Sequence, residues 1–316
     1  YPATADELAA LRAFSFVDRI NESTTVTGQD DEGGQVTIPG RALVADSVYG
    51  ATPGITANAR GESAGAWFTS TSDHTWRYSS APPTDAPTWL FLGDSVTMGT
   101  GVDPDSTFAG RLAKRALVQN TALIGLGVRD YVPTAQARLA RGGVDRVVLV
   151  WCLNDLYPPT SNADAPAGMR GLVGPLHGFV LRHVRTYQVL KAALLDRPRV
   201  YYDHDIALYA DSSLIADARS RIAGVAQSAT ASGAAFDVVV MPYRDALTDA
   251  EWSSRIAPLI EALAAEDISV VDASSWLAGA DPVDLFRYDD GIHLSARGHA
   301  RIAEGLAHRL GTGDEF

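Results

Sequence analysis

The sequence predicts an α/β protein: a three-layer α/β/α sandwich around a five-stranded parallel sheet, preceded by a β- and loop-rich N-terminal extension. Three observations predict it. Short runs of apolar residues recur five times after residue 87, and segments of helical periodicity separate them. Strands alternating with helices imply βαβ units and a parallel sheet covered on both faces. Residues 1–86 read differently, being rich in Thr, Ser, Gly and Asp, and they end in the linker-like Ser79-Ser80-Ala81-Pro82-Pro83-Thr84-Asp85-Ala86-Pro87. The expected division is therefore an extension over 1–86 and a main domain over 87–316.

In the extension, Ala5 to Phe14 has a short helical pattern. Thr24-Thr25-Val26-Thr27 and Gln35-Val36-Thr37-Ile38 are β-branched stretches between Gly and Asp turns, the signature of short strands. In the main domain, Trp89-Leu90-Phe91-Leu92 is a buried strand ending at Gly93. Phe108 to Leu117 has helical spacing, Thr121 to Ile124 is a second strand, and Pro133 opens a helix through Ala140, since Pro suits a first helical turn. Val147 to Trp151 is a continuous apolar strand. The stretch from Tyr157 to Gly174 is Pro- and Gly-rich and reads as a long loop, of a length that often serves function. Helices follow over Leu176 to Leu195 and Leu214 to Ala229, then a strand over Phe236 to Met241. Thr248 and Glu251 have the spacing of a capping box for a helix to Ala265. Ile268 to Val271 is the last strand, and Ser295 caps a final helix with Ile302, Leu306 and Leu310 on its buried stripe.

Bulk properties narrow the function. At 316 residues and 46% hydrophobic, the chain can bury about 75% of its unfolded surface in one core. A net charge of −12 argues against nucleic acid as partner, because phosphate neutralisation needs clustered Lys and Arg. No apolar run approaches the ~20 residues of a membrane span. One cysteine, Cys152, leaves no internal disulfide and no Cys-based metal site. The chain begins at Tyr1 rather than Met, so localisation stays open between export with a removed leader and the cytoplasm. Oligomeric state is not legible.

Three motifs carry chemistry. Gly93-Asp94-Ser95 directly follows the first strand, so its hydroxyl is placed at the carboxyl edge of the sheet, where such folds bind ligands. Asp290-Gly291-Ile292-His293 offers a base and an orienting carboxylate on one short turn, which is what a hydroxyl nucleophile needs. Leu153-Asn154-Asp155 follows the Val147–Trp151 strand, where an Asn amide can donate to a developing oxyanion, as can backbone N–H groups at Ser95 and Gly125. Each motif taken alone is also ordinary turn or cap chemistry.

Taken together, the chain resembles the SGNH (GDSL-type) hydrolase superfamily. Phe91 to Gly99 is similar to its first block, Asn120 with Gly125 and Gly127 to its second, Leu153-Asn154-Asp155 to its third and Asp290 to His293 to its fifth, over roughly 88–310. Cys152 stands where the third block, Gly-x-Asn-Asp, has its Gly; a small side chain there predicts a slightly altered loop with the Asn donor kept. The resemblance implies a flavodoxin-like SGNH fold and ester hydrolysis through an acyl-serine. Ser95 would be the nucleophile, His293 the general base, Asp290 its orienter, and Ser95, Gly125 and Asn154 the oxyanion hole. Asp94, Val96, Cys152, Asp155 and Ile292 would border the pocket. The implied substrate is a small-molecule or carbohydrate acyl ester, with acetyl or short acyl groups first, and no metal or cofactor is implied. O-acyl transfer to a sugar or other alcohol, and a catalytically silent carbohydrate-binding module, are the alternatives.

Other residues read more plainly. Asp73-His74 is a possible upstream acid–base pair, as in SGNH-like acetyltransferases, but the downstream pair is better placed. His177, His183 and His299 read as packing or surface, and His204, in an aromatic and acidic cluster, as structural or pocket-lining. Trp67, Trp76, Trp252 and Trp276 read as core. Seven scattered histidines with no His-Glu-x-x-His disfavour metal hydrolysis, and the Gly93–Gly101 loop lacks the Lys-Ser/Thr of a phosphate cradle.

Overall fold

Thr, Val and Ile make two strands in the N-terminal part of the computed structural model: β1 (Thr25–Gln29) and β2 (Gln35–Pro39) pair antiparallel, with Val26 opposite Ile38. The structure describes residues 25–29, 35–39, 78, 82–122, 126–156, 197–287 and 291–311. The expected Ala5–Phe14 helix, the 157–174 loop, the 176–195 helix, His74, His177, His183, Trp67 and Trp76 all lie outside the described residues.

The central sheet is β3 (Thr88–Leu92), β4 (Leu117–Asn120), β5 (Arg146–Trp151), β6 (Ala235–Val240) and β7 (Ser269–Asp272), all parallel, in the order β4-β3-β5-β6-β7. Leu90, Phe91, Leu92, Val147, Val148 and Leu149 are fully buried, as expected of strands covered on both faces. The helices that cover them are α1 (Ser95–Met98), α2 (Phe108–Leu112), α3 (Val128–Leu139), α4 (Arg197–Ala207), α5 (Ser212–Ala231), α6 (Trp252–Ala264), α7 (Ser274–Leu277), α8 (Pro282–Leu285) and α9 (Ala296–Arg309). Helices α3, α5 and α6 pack together as one layer, while α2, α7 and α8 gather around α9 as the other. This is the three-layer α/β/α sandwich.

The strand order decides where a ligand can sit. The chain starts at β3, moves outward to β4, then crosses back to β5 on the other side. In doubly wound sheets the crevice opens at the carboxyl ends of the two strands where the direction reverses. Here those strands are β3 and β5, and they are hydrogen-bonded neighbours, with Leu92 opposite Leu149.

Four local expectations are corrected. The second strand is Leu117–Asn120 rather than 121–124, and Phe108–Leu117 is a helix only to Leu112. Register is the reason: Leu117 to Asn120 pairs with Thr88 to Phe91, and the Thr121 hydroxyl then donates to Phe91 O and ends the ladder. Helix α3 begins at Val128, with Pro133 inside it, because the Asp130 carboxylate accepts from Gly127 N–H and starts the helix a turn early. The Thr248–Glu251 capping box does not form. Asp249 accepts from Glu251 N–H instead, while the Glu251 carboxylate turns to Arg255. Ser295 does cap α9, accepting from Gly298 N–H, and Ile302 and Leu306 are fully buried.

Helix α9 lies close enough to α8 that a Cβ on Gly298 would sit 2.1 Å from the Leu285 carbonyl oxygen. Alanine normally favours a helix over glycine by about 1 kcal/mol. Here the contact is with backbone that already accepts from Ser295 N–H, so it cannot move aside cheaply. Gly298→Ala is therefore expected to lower the urea midpoint of unfolding; a raised midpoint would contradict the packing.

Candidate active site

Strand β3 delivers Gly93 to the crevice in very close quarters. A Cβ there would come 2.0 Å from Thr97 Oγ1 and 3.1 Å from Val150 O, so only glycine lets the chain turn sharply against β5. Asp94 then caps α1, its Oδ1 accepting from Val96 N–H at 2.9 Å, and Ser95 opens that helix. First-turn N–H groups have no partner inside their own helix. The Ser95 N–H, at the first position of α1, is one of them.

His293 arrives from the far end of the sequence. Its Nε2 lies 2.9 Å from Ser95 Oγ, across 198 positions of chain. Both residues are buried, at 6% and 8% exposure. The histidine segment is held on two sides. Arg287 N–H donates to His293 O at 2.8 Å and Ser295 N–H to Leu285 O at 2.9 Å; on the other side Arg244 N–H donates to Gly291 O at 2.7 Å.

The third contributor follows β5 in the tight turn Leu153–Leu156. The Asn154 amide donates to Asp94 Oδ2 at 3.2 Å, which places it beside the serine turn. Its neighbour Asp155 folds the turn back, accepting from Cys152 N–H at 2.8 Å and from the Tyr131 hydroxyl at 2.6 Å. Cys152 is buried and keeps its backbone donor in that network despite replacing a glycine.

Burial dominates the electrostatics. It pushes the Asp94 carboxyl above its usual range, against the Val96 N–H, the nearby His293 and the Asn154 amide. Asp155 is pushed higher still, by burial and then by Asp94, with Tyr131 and Cys152 N–H opposing. Burial also holds the Cys152 thiol and the Tyr131 phenol in their neutral forms.

Of the residues singled out in the sequence, the structure brings together Ser95, His293, Asp94 and Asn154. Gly125 and Asp290 lie outside the described residues. Val96, Cys152 and Asp155 are buried beneath the site, and Ile292 is half-buried beside His293. His204 sits at half exposure on α4, its Nδ1 2.8 Å from the buried Asp205, which also accepts from the Tyr243 hydroxyl at 2.7 Å. His299 is packing: it is buried against the Phe108 ring and its Nδ1 accepts from Phe108 N–H. Trp252 is core and Trp276 packs against it. Among the described residues, no group of three His, Cys, Asp or Glu is placed to hold a metal, and no helix is long and apolar enough to cross a membrane.

Sequence reasoning missed Tyr131. A helical stripe begun at Val128 would have found it, since Val128, Tyr131, Ala135 and Leu139 are the buried apolar and aromatic positions of α3. It also missed Tyr78, just before the expected linker, whose hydroxyl accepts from the Asn120 amide of β4 at 2.9 Å.

A buried serine hydroxyl and an imidazole thus meet at the switch point of a doubly wound sheet. The chain belongs to the GDSL-like lipase/acylhydrolase family, whose sequence model matches residues 91–301. It is thus an acyl ester hydrolase of the SGNH superfamily, as its sequence blocks suggested. Among solved structures it is similar to TesA, at 19% identity over 71% of this chain and 97% of that chain, with a TM-score of 0.44. The esterase EstA from Pseudoalteromonas matches at 11% identity over 71% of this chain and 97% of its own, TM-score 0.42. A G-D-S-L family lipolytic protein from Veillonella parvula matches at 16% identity over 72% and 99%, TM-score 0.41. No curated protein matches the chain significantly.

The environment of His299 has a measurable consequence. Burial, then the neighbouring His293 and Arg111, push its imidazole from the ordinary 6.5 down to about 3. Between those values the unfolded chain binds a proton that the folded chain does not. Stability therefore rises with pH through this window and is lost as pH falls below about 6.5. His299→Gln, whose side-chain oxygen can still accept from Phe108 N–H, is expected to flatten the fall in Tm between pH 6.5 and 4. Equal slopes for the two proteins would show that His299 is not the group responsible.

Proposed function

We propose that the protein hydrolyses acetyl or other short acyl esters through an acyl-serine, with Ser95 as nucleophile, His293 as base, and Asp290 as the residue that orients the imidazole. The observation that carries this reading is the 2.9 Å contact between Ser95 Oγ and His293 Nε2 inside a buried crevice. A serine hydroxyl is a weak nucleophile until an adjacent base removes its proton. His293 takes that proton as Oγ attacks the ester carbonyl carbon. The tetrahedral intermediate collapses, the bond to the alcohol oxygen breaks, and His293 returns the proton to the leaving alcohol. Water then attacks the acyl-serine, giving its proton to His293, and Ser95 recovers its own as the carboxylic acid leaves. The developing oxyanion is met by the N–H groups of Ser95 and Gly125 and by the Asn154 amide. In support, the Asn154 amide already lies against Asp94, one residue from the nucleophile, with a second N–H left for the oxyanion.

The test is hydrolysis of a p-nitrophenyl ester series from acetate to long acyl chains. Ser95→Ala and His293→Ala are expected to lower kcat by several orders of magnitude, and Asn154→Ala by about 10²–10³-fold, with acetate or another short chain the best substrate. Wild-type turnover by Ser95→Ala would remove the proposed nucleophile. A preference for long chains would retain the machinery and replace the substrate class.

A further inference from the structure

We infer that Arg287 is a positioning residue that sets the distance between Ser95 and His293 by strapping their two loops together. The inference rests on the reading of Ser95 and His293 as the reacting pair. These residues come from segments far apart in sequence, and each stands on a short connection at the sheet edge rather than within a strand. A contact of 2.9 Å between them needs something that ties one connection to the other.

Arg287 touches both. Its backbone N–H donates to His293 O at 2.8 Å. Its side chain then reaches across 187 positions of sequence, and Nη1 donates to Thr100 O at 3.4 Å. Thr100 is itself buried, and its N–H donates to Ser95 O at 3.1 Å. The connection thus runs from the backbone of the histidine, through one arginine and one threonine, to the backbone of the serine.

The loop is shaped to admit the guanidinium. Gly101 has φ +82°, and a Cβ there would fall 1.5 Å from Arg287 Nη1 and 2.5 Å from Cζ. No residue with a side chain can occupy that position while the arginine lies where it does. The glycine therefore meets two needs at once, a left-handed backbone and an open path for the planar group. Arg287 is half-buried, and its bonds to Thr100 O and His293 O both fall on backbone carbonyls, so it acts through the two backbones.

The experiment compares wild type with Arg287→Gln, Arg287→Lys, Ser95→Ala and His293→Ala on uncharged p-nitrophenyl acetate, with Tm and the rate of Ser95 labelling by a fluorophosphonate probe measured in parallel. Misplacing reacting groups by an ångström costs on the order of a hundredfold in rate. Arg287→Gln is expected to lower kcat and the labelling rate to about that extent, with KM and Tm close to wild type. Arg287→Lys, which keeps one donor but not the planar fork, should recover part of both. Unchanged kcat and labelling in Arg287→Gln would overturn the inference while the losses in Ser95→Ala and His293→Ala leave the reacting pair in place. A change confined to KM would overturn it in favour of a substrate-binding cation. A loss that tracks a fallen Tm, or that lysine does not relieve, would reduce Arg287 to a stabilising residue. Activity retained by Ser95→Ala or His293→Ala would remove the reacting pair, and the strap with it.

Discussion

The carboxyl group of Asp94 is sealed from solvent, and the arrangement of the site follows from what a sealed carboxylate requires. An unpaired charge in the interior costs several kcal/mol, so donors must be brought to it. Val96 N–H and the Asn154 amide are those donors, and His293 stands near enough to favour the ionised form. One buried group thereby fixes the first turn of α1, and with it the direction of Ser95, while drawing in the turn after β5 that carries Asn154. Asp155 repeats the logic one layer deeper, gathering Cys152 N–H and the Tyr131 hydroxyl. Asp94 raises the proton affinity of Asp155 in addition to the effect of burial. The network therefore holds its geometry only while each acceptor keeps its donors.

The sheet explains why these groups can meet at all. Neighbouring strands β3 and β5 leave the sheet in opposite directions of travel, and the crevice between their carboxyl ends is the place that no crossover helix fills. Ser95 comes from one strand end and Asn154 from the other. His293 enters from the last connection before α9, whose base is locked to α8 by the Ser295 and Leu285 contacts. Rigid strands supply two of the three components, and a stitched loop supplies the third. Loops supported in this way can carry reacting groups without the cost in precision that a free loop would bring.

The parts of this arrangement legible in the sequence are those dictated locally. The Leu90–Leu92 run followed by Gly-Asp-Ser states both the strand and the hydroxyl at its carboxyl end, and Ser295 states the cap of α9. Where a nonlocal contact decides, the reading slipped. The second strand was displaced because Leu117, half exposed at the sheet edge, reads as the end of a helix, and only pairing with Thr88 makes it a strand. Helix α3 was started late because Pro133 is a strong local signal, whereas the Asp130 carboxylate closing on Gly127 is visible only once folded. Tyr131 and Arg287 were passed over for the same reason. Nothing in their immediate neighbours marks them, and their partners Asp155 and Thr100 lie 24 and 187 positions away.

Two histidines six residues apart show how the fold assigns opposite tasks to one residue type. His293 faces the serine across a hydrogen bond and, in the proposed mechanism, takes up its proton. His299 faces Phe108, accepts from a backbone N–H through Nδ1 and is kept neutral by burial. The two are close enough that His293 itself contributes to the lowered proton affinity of His299, and such coupling acts equally in both directions. A charged His299 would oppose the positive charge that the proposed mechanism puts on His293. By holding His299 neutral down to about pH 3, the packing of α9 against Phe108 keeps a second positive charge away from the residue proposed as the base.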